Sequence, residues 1–393
     1  MLLVRNAIVY APGPLGRKDI LAAGGEIVAI ADDIDPGRLP CEVDVLDAGG
    51  LVALPGLVDS HVHILGGGGE GGYSTRTPEL RIVDCIRAGV STVIGTLGTD
   101  GVARSMESLV AKAHSIREQG LSAWVYSGSY RVPPATITGD LMKDIMMIDP
   151  VIGAGEIAIS DHRSSRPSLE ELGRLASEAR VGGLLSGKAG IVNLHVGDAP
   201  AGLGPLEALV AAGDLPHTQF LPTHCGRSGR LFAEARRWAA AGGWVDFTTS
   251  GAAKPREGDR HGDEVPAPAA IRAMRDAGLL GRVTCSSDGQ GSLPVFDSSG
   301  ACVGLAVGTS ASLWEAIREA VLSEGVALEE AARTVTANPA EALRLGRKGR
   351  LAEGFDADIL LVEPGSLAIT GLVAGGRAMM AGGRLLVKGN FED

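Results

Sequence analysis

The chain has 393 residues, 45% hydrophobic and 21% charged, ordinary proportions for a globular protein able to bury a large core. Its formal net charge of −11 and the lack of any dense Lys/Arg run argue against a nucleic-acid or anionic-membrane partner. There is no charged-then-apolar leader, no apolar run near bilayer length and no Cys-x-x-Cys among Cys41, Cys85, Cys225, Cys285 and Cys302. The thiols therefore read as reduced, and the protein as cytoplasmic.

Residues 1–53 are short β-like runs (2–4, 7–10, 19–21 and 26–30) broken by turns such as Gly24-Gly25, predicting a small antiparallel sheet with little helix. Next comes Leu54-Pro55-Gly56-Leu57-Val58-Asp59-Ser60-His61-Val62-His63, a buried strand ending in two imidazoles. Residues two apart on a strand share a face, so His61 and His63 project side by side. Such a pair fixes two metal ligands on a rigid element; it could also merely satisfy local hydrogen bonds.

Beyond it, apolar runs at 91–95, 123–126, 156–159, 191–195, 220–224, 244–247 and 283–286 alternate with helical patterns. The helices are expected at 78–88, 104–119, 169–181, 204–212, 231–241 and 267–277. With the strand before His61 this makes eight strands, and the alternation predicts an α/β chain folded as a (β/α)8 TIM barrel. A doubly wound open sheet is the alternative. It would not place polar residues at the end of strand after strand, as His61, His63, His195, His224 and Asp288 are placed here. Cys225, following His224, should point the other way and pack. Runs at 358–362, 378–380 and 384–388, with a Gly382-Gly383 turn, return to β structure. The barrel (54–345) is thus expected to be inserted in a small β-sandwich domain built from both termini (1–53 and 346–393).

Four histidines and an aspartate at the ends of four strands point to a metal site at the rim where barrel chemistry gathers. These residues resemble the amidohydrolase superfamily: Pro-Gly-Leu-Val-Asp-x-His-x-His, single histidines on strands five and six, and Ser286-Ser287-Asp288-Gly289 on strand eight. More narrowly, the chain is similar to the isoaspartyl dipeptidase (β-aspartyl peptidase) family. The matches include Gly66-Gly67-Gly68-Gly69-Glu70, Gly95-Thr96-Leu97-Gly98-Thr99-Asp100, Ala158-Ile159-Ser160-Asp161-His162-Arg163 and Ser286 to Ser292.

The resemblance implies two divalent metal ions, zinc in the usual case, sharing a hydroxide, and hydrolysis of β-aspartyl dipeptides. One metal would take His61, His63 and Asp288, the other His195 and His224, with Asp288 as proton shuttle. The family bridges its metals with a carboxylated lysine on strand four, where this chain has Glu156. Glu156 is shorter by roughly 3–4 Å of reach, so the backbone must come closer, as the flanking Gly153 and Gly155 permit. A single-metal or inactive site with Glu156 merely paired is the contrary reading. For a zwitterionic dipeptide the resemblance implies Glu70 on the ammonium, Arg163 and Arg227 on carboxylates, Thr99 and Ser292 as neutral partners, and Tyr130 as oxyanion donor.

No Gly-Lys-Ser/Thr follows the Gly66–Gly72 loop, so it is not a phosphate cradle. His114 and His217 read as surface residues and His162 as a neighbour of the site. Residues 252–266, with His261, read as a charged rim loop that is a lid or a bystander. Two rivals stand: an amidohydrolase acting on cyclic amides or N-acyl amino acids, and an inactive barrel kept as an oligomeric scaffold. The partner expected is a small dipeptide, with no nucleic acid or membrane, and the chain is expected to form a homo-oligomer.

Overall fold

Eight parallel strands follow one another around a ring in the computed structural model, which describes residues 1–39, 41–250, 263–296 and 302–392. They are β1 Leu57–Val62, β2 Val90–Gly95, β3 Ser122–Ser127, β4 Val151–Ile159, β5 Ile191–Val196, β6 Phe220–Thr223, β7 Val245–Thr248 and β8 Val283–Ser286. β1 to β6 form one ladder and β7 pairs with β8. The ring closes where Cys225 N–H donates to the Asp246 carbonyl at 3.1 Å and His63 N–H to the Gly289 carbonyl at 2.9 Å. Because helices cover the outside and side chains fill the inside, the strands are buried on both faces and read as nearly unbroken apolar runs.

A helix follows each strand: α1 Ile82–Arg87, α2 Met106–Glu118, α3 Leu141–Met147, α4 Leu169–Ser186, α5 Gly204–Ala211, α6 Gly229–Ala240, α7 Ala267–Asp276 and α8 Ala311–Leu322. The sequence pattern anticipates neither α3 nor α8. α3 is only seven residues long, yet it is started by Asp140, whose side chain accepts from Lys143 N–H, and anchored by Leu141 and Ile145. α4 runs five residues past its expected end. Its capping box, Ser168 with Glu171, fixes one end, and Gly187 in left-handed conformation closes the other.

Both termini build one nine-stranded sheet, joined where Val52–Pro55 runs antiparallel to Ile359–Val362. It is mixed, not simply antiparallel as expected. Leu2–Tyr10 lies parallel to both Asp44–Asp47 and Val52–Pro55, with the intervening chain supplying the crossover a parallel pair needs. Alternation divides its side chains: Ala53, Ile359 and Leu361 enter a core of the sheet's own, while Leu54, Leu360 and Leu372 pack with the barrel helices. Val52–Pro55 carries this sheet past residue 53, so we place the division between the two modules at Gly56.

The joint is polar as well as apolar. Buried Lys348 pairs with Asp356 at 2.8 Å and Asp358 at 2.7 Å, and Asp358 accepts from Ser91 at 3.1 Å. Glu392, near the C-terminus, accepts the free N–H groups of Ile82 and Val83 and so caps α1. Among the described residues no helix is long and apolar enough to cross a membrane. Residues 252–262 of the expected rim loop, with His261, lie outside the described residues.

Candidate active site

His61 and His63 stand side by side at the end of β1 as strand periodicity requires, their rings edge-to-face with centroids 5.4 Å apart. His195 lies in β5, but His224 and Asp288 are not on strands as expected. They sit one residue past β6 and two past β8, at φ +65° and +50°. Non-glycine residues seldom adopt this left-handed backbone, and it persists where surrounding structure holds it in place. Here Asp59 does so beside Asp288, accepting from both the N–H (3.0 Å) and the hydroxyl (2.5 Å) of Ser287. Cys225 is buried as expected, although it too lies beyond the strand.

Glu156 is at the centre. Its Oε1 lies 2.9 Å from His195 Nδ1 and 3.4 Å from His224 Nε2, and its Oε2 3.4 Å from His61 Nε2 and 3.9 Å from His63 Nε2. A bulge aims it there. Ala154 pairs with Val192 and Ile157 with Leu194, so Gly155 and Glu156 together oppose Asn193 alone. The approach depends on missing side chains. A Cβ at Gly153 would stand 2.3 Å from the Ile191 carbonyl oxygen, and one at Gly155 would stand 2.9 Å from Asn193 Cβ.

The outer nitrogens of three histidines are tied. His61 Nδ1 faces Asn193 Oδ1 at 3.1 Å, His224 Nδ1 faces Thr248 Oγ1 at 2.6 Å, and His195 Nε2 faces Asp161 Oδ2 at 2.9 Å. His61 Nε2, His224 Nε2 and His195 Nδ1 are the atoms that face Glu156, and in the tautomers that donate outward these three would be free to bind a metal ion. The sequence pattern assigns no role to Asn193, Thr248 or Asp161. Asn193 was findable, being two residues before His195 on the same strand face; nothing local signals the other two.

Several buried polar atoms here have no hydrogen-bond partner: His61 Nε2, His63 Nδ1, Glu156 Oε2 and Asp288 Oδ1. Unpaired donors and acceptors in a buried site cost free energy unless something else satisfies them. Ligand atoms of His61, His63 and Asp288 lie within 4.8 Å of one another, as do those of His61, Glu156 and His224. This nitrogen–oxygen donor set fits divalent ions of the zinc class.

Charge is balanced across the cluster. Burial opposes a proton on His61, but the Glu156 and Asp288 carboxylates outweigh it and raise its pKa to about 10. At His224 burial and the neighbouring His195 and Arg227 prevail and lower it to about 3. Burial likewise works against ionised Glu156 and Asp288, yet the imidazoles hold Glu156 well below the usual carboxylate range and Asp288 at about 2.

On the open side, Tyr130 OH lies 2.8 Å from His195 Nδ1, and burial followed by the Glu156 charge holds the phenol well above its ordinary pKa. Arg163 grips Asp161 with both arms of its fork (3.0 and 2.9 Å) and turns its remaining nitrogen to Glu70 at 3.3 Å. Glu70 also accepts from Thr99 at 2.6 Å. Arg227 is more loosely held, 3.9 Å from both Asp161 and Asp198. Ser292 opens a hairpin and packs against Gly68. A cavity of about 310 Å³ lies beside Glu70 and Thr99, lined also by Gly69, Arg76 and Asp100. His114 and His162 are exposed, whereas His217 packs against Trp238, its ring tilted by 58° with centroids 4.7 Å apart.

A closed parallel barrel with imidazoles and carboxylates at its C-terminal rim, carried on a sheet made from both termini, defines an amidohydrolase. Residues 225–382 match the amidohydrolase family. The fold and sequence are similar along nearly their whole length to the β-aspartyl dipeptidase of Fervidobacterium islandicum AW-1, solved with a β-Asp-Leu dipeptide. Identity is 47%, coverage 98% of this chain and 97% of that one, and the TM-score 0.91. The chain belongs to the β-aspartyl dipeptidase family of the amidohydrolase superfamily, and it is a hydrolytic enzyme of the dipeptidase type.

More distant curated relatives are an adenine deaminase of Halalkalibacterium halodurans and a dihydroorotase of Staphylococcus aureus. The first is 26% identical over 94% of this chain, the second 32% identical over 41% of it. The chain spans 55% of the former's length, and its match covers 35% of the latter's.

Proposed function

We propose that this protein hydrolyses β-aspartyl (isoaspartyl) dipeptides with two divalent metal ions, zinc first among the candidates. The observation that carries the reading is the chain-long similarity to an enzyme solved with β-Asp-Leu, together with a rim cluster in which buried His61 Nε2, Glu156 Oε2 and Asp288 Oδ1 lack hydrogen-bond partners. His61, His63 and Asp288 would hold one ion and His195 and His224 the other, with Glu156 offering one oxygen to each pair of histidines. When bound, the ions would supply an activated water at neutral pH and polarise the scissile carbonyl.

The chain's own groups do the rest. Asp288, ionised at neutral pH, accepts a proton from the attacking water and passes it to the departing amine. Tyr130, held protonated, donates to the oxygen of the tetrahedral intermediate. Glu70 takes the α-ammonium, Arg163 and Arg227 the carboxylates, and Thr99 and Ser292 add neutral hydrogen bonds. Asp161, bound to both His195 and Arg163, keeps a metal-binding histidine and a substrate-binding arginine in fixed relation.

We also assign the protein to the cytoplasm, where its buried free thiols Cys85, Cys225 and Cys285 stay reduced, and to a homo-oligomer. The test of activity is turnover of β-Asp-Leu, α-Asp-Leu and dihydroorotate by protein of measured metal content. Selective cleavage of β-Asp-Leu is expected. Turnover of dihydroorotate alone would favour a cyclic-amide hydrolase, and no turnover at full metal loading would sink the proposal.

A further inference from the structure

The end of the barrel opposite the histidines carries a second cluster. Residues 340–345 plug that end, packing Ala340, Ala342, Leu343 and Leu345 in one cluster with Val58, Ile152, Ile191 and Trp244 from the strand starts. At the edge of the plug is a cavity of about 190 Å³, lined by Arg180 of α4, Arg282 ahead of β8, Arg344 of the plug, Gln219, Trp244 and Glu341, among others. Gln219 and Trp244 are buried and form its fixed wall.

Charge makes this cavity unusual. The chain has 36 Lys and Arg against 47 Asp and Glu, so carboxylate partners are in excess. Yet among the described residues none of these three arginines pairs with a carboxylate. Arg180 reaches only the amide oxygen of Gln219, at 3.5 Å, and Arg282 lies over the Trp244 ring at 4.9 Å. Glu341 lines the cavity unpaired and leaves the wall with a net two positive charges. Conservation of shape at this end of a barrel serves stability; gathering unpaired like charges there works against it.

We propose that this cavity binds a small multivalent anion, phosphate or a short dicarboxylate, between Arg180, Arg282 and Arg344. Guanidinium forks suit such oxyanions, which accept two parallel N–H bonds. The volume admits an anion of a few heavy atoms and excludes a nucleotide. Binding there stabilises the fold by mass action without touching the metal-bearing rim.

The experiment is thermal unfolding and calorimetric titration of the metal-loaded enzyme with inorganic phosphate, then with succinate, against chloride at matched ionic strength. A rise in Tm is expected for wild type with at least one of the two anions. Arg180→Gln/Arg344→Gln should bind that anion at least about tenfold more weakly, the loss of one charge-assisted hydrogen bond or more. Its anion-free β-Asp-Leu turnover should match wild type. If the double variant is itself destabilised, the exposed single variant Arg344→Gln gives the same reading by calorimetry. Equal binding by wild type and variants would put the anion elsewhere, on Arg163 and Arg227 for instance, and overturn the proposal, as would no response to either anion.

Discussion

Replacing Glu156 by glutamine keeps its shape and removes its charge, and so isolates what the carboxylate does at the centre of four imidazoles. Oε2 is 3.4 Å from His61 Nε2, and Oε1 is 3.4 Å from His224 Nε2. At an effective dielectric of about 20, a unit positive charge at that distance gains about 5 kcal/mol from a full negative charge. With about 1.4 kcal/mol per factor of ten, this is between three and four orders of magnitude in binding constant. A divalent ion doubles the gain, and desolvation returns part of it. Even half the single-charge figure would weaken metal binding in Glu156→Gln by roughly 60-fold.

Metals per chain are to be measured by plasma emission after gel filtration in metal-free buffer, with circular dichroism to verify the fold. The expected result is fewer than two ions per chain and β-Asp-Leu turnover reduced by about a thousandfold or more. Because a glutamate is already an anion at neutral pH, metal loading of the wild type should not depend on bicarbonate. Two ions per chain with near-normal turnover in Glu156→Gln would refute the reasoning, since some other group would have to be the shared anion.

Two further variants test the layers around the cluster. Arg227→Met should lower kcat/KM for β-Asp-Leu about a hundredfold at unchanged metal content, because a misplaced carboxylate costs rate as well as binding; wild-type kinetics would remove Arg227 from the substrate site. Asn193→Ala deprives His61 Nδ1 of its acceptor and should weaken metal binding about 10–100-fold in competition with a chelator. Unchanged affinity would mean that packing around His61 orients the imidazole without Asn193.

The barrel was legible because its signal is repeated: eight apolar runs, each ending in a rim, leave little freedom once the first three are read. The terminal sheet was legible in content but not in pairing. Nothing in residues 2–10 says that this strand takes parallel partners on one side, since a parallel register is decided by where a crossover returns the chain. Of the site, the residues with distinctive chemistry could be found from sequence, and the residues that orient them could not. Thr248 and Asp161 reach His224 and His195 from the end of the adjacent strand, 24 and 34 residues away in the chain, a proximity that only the closed ring creates. The chemistry of His224 and Asp288 marks them as site residues, but their place beyond the strands does not show in sequence, because a positive φ in a non-glycine residue is imposed by packing and leaves no local trace.

The same limit explains Glu156. Counting along an unbroken strand by twos would put Gly155 and Ile157 on one face and Glu156 on the other. The bulge opposite Asn193 breaks that count and swings Glu156 inward, toward histidines on both sides. It does so on a backbone with no room for a β-carbon at Gly153 or Gly155. A short carboxylate in this position therefore comes with a strand that can crowd against its neighbour, and the two glycines, the bulge and Asn193 form one arrangement. Asn193 is the residue opposed by the bulge and also the residue facing His61 Nδ1. The device that brings the central anion within reach thus also orients the first histidine toward it. For this reason substitutions at Gly153 or Gly155 belong with those at Glu156, as disturbances of the metal site rather than of the barrel alone.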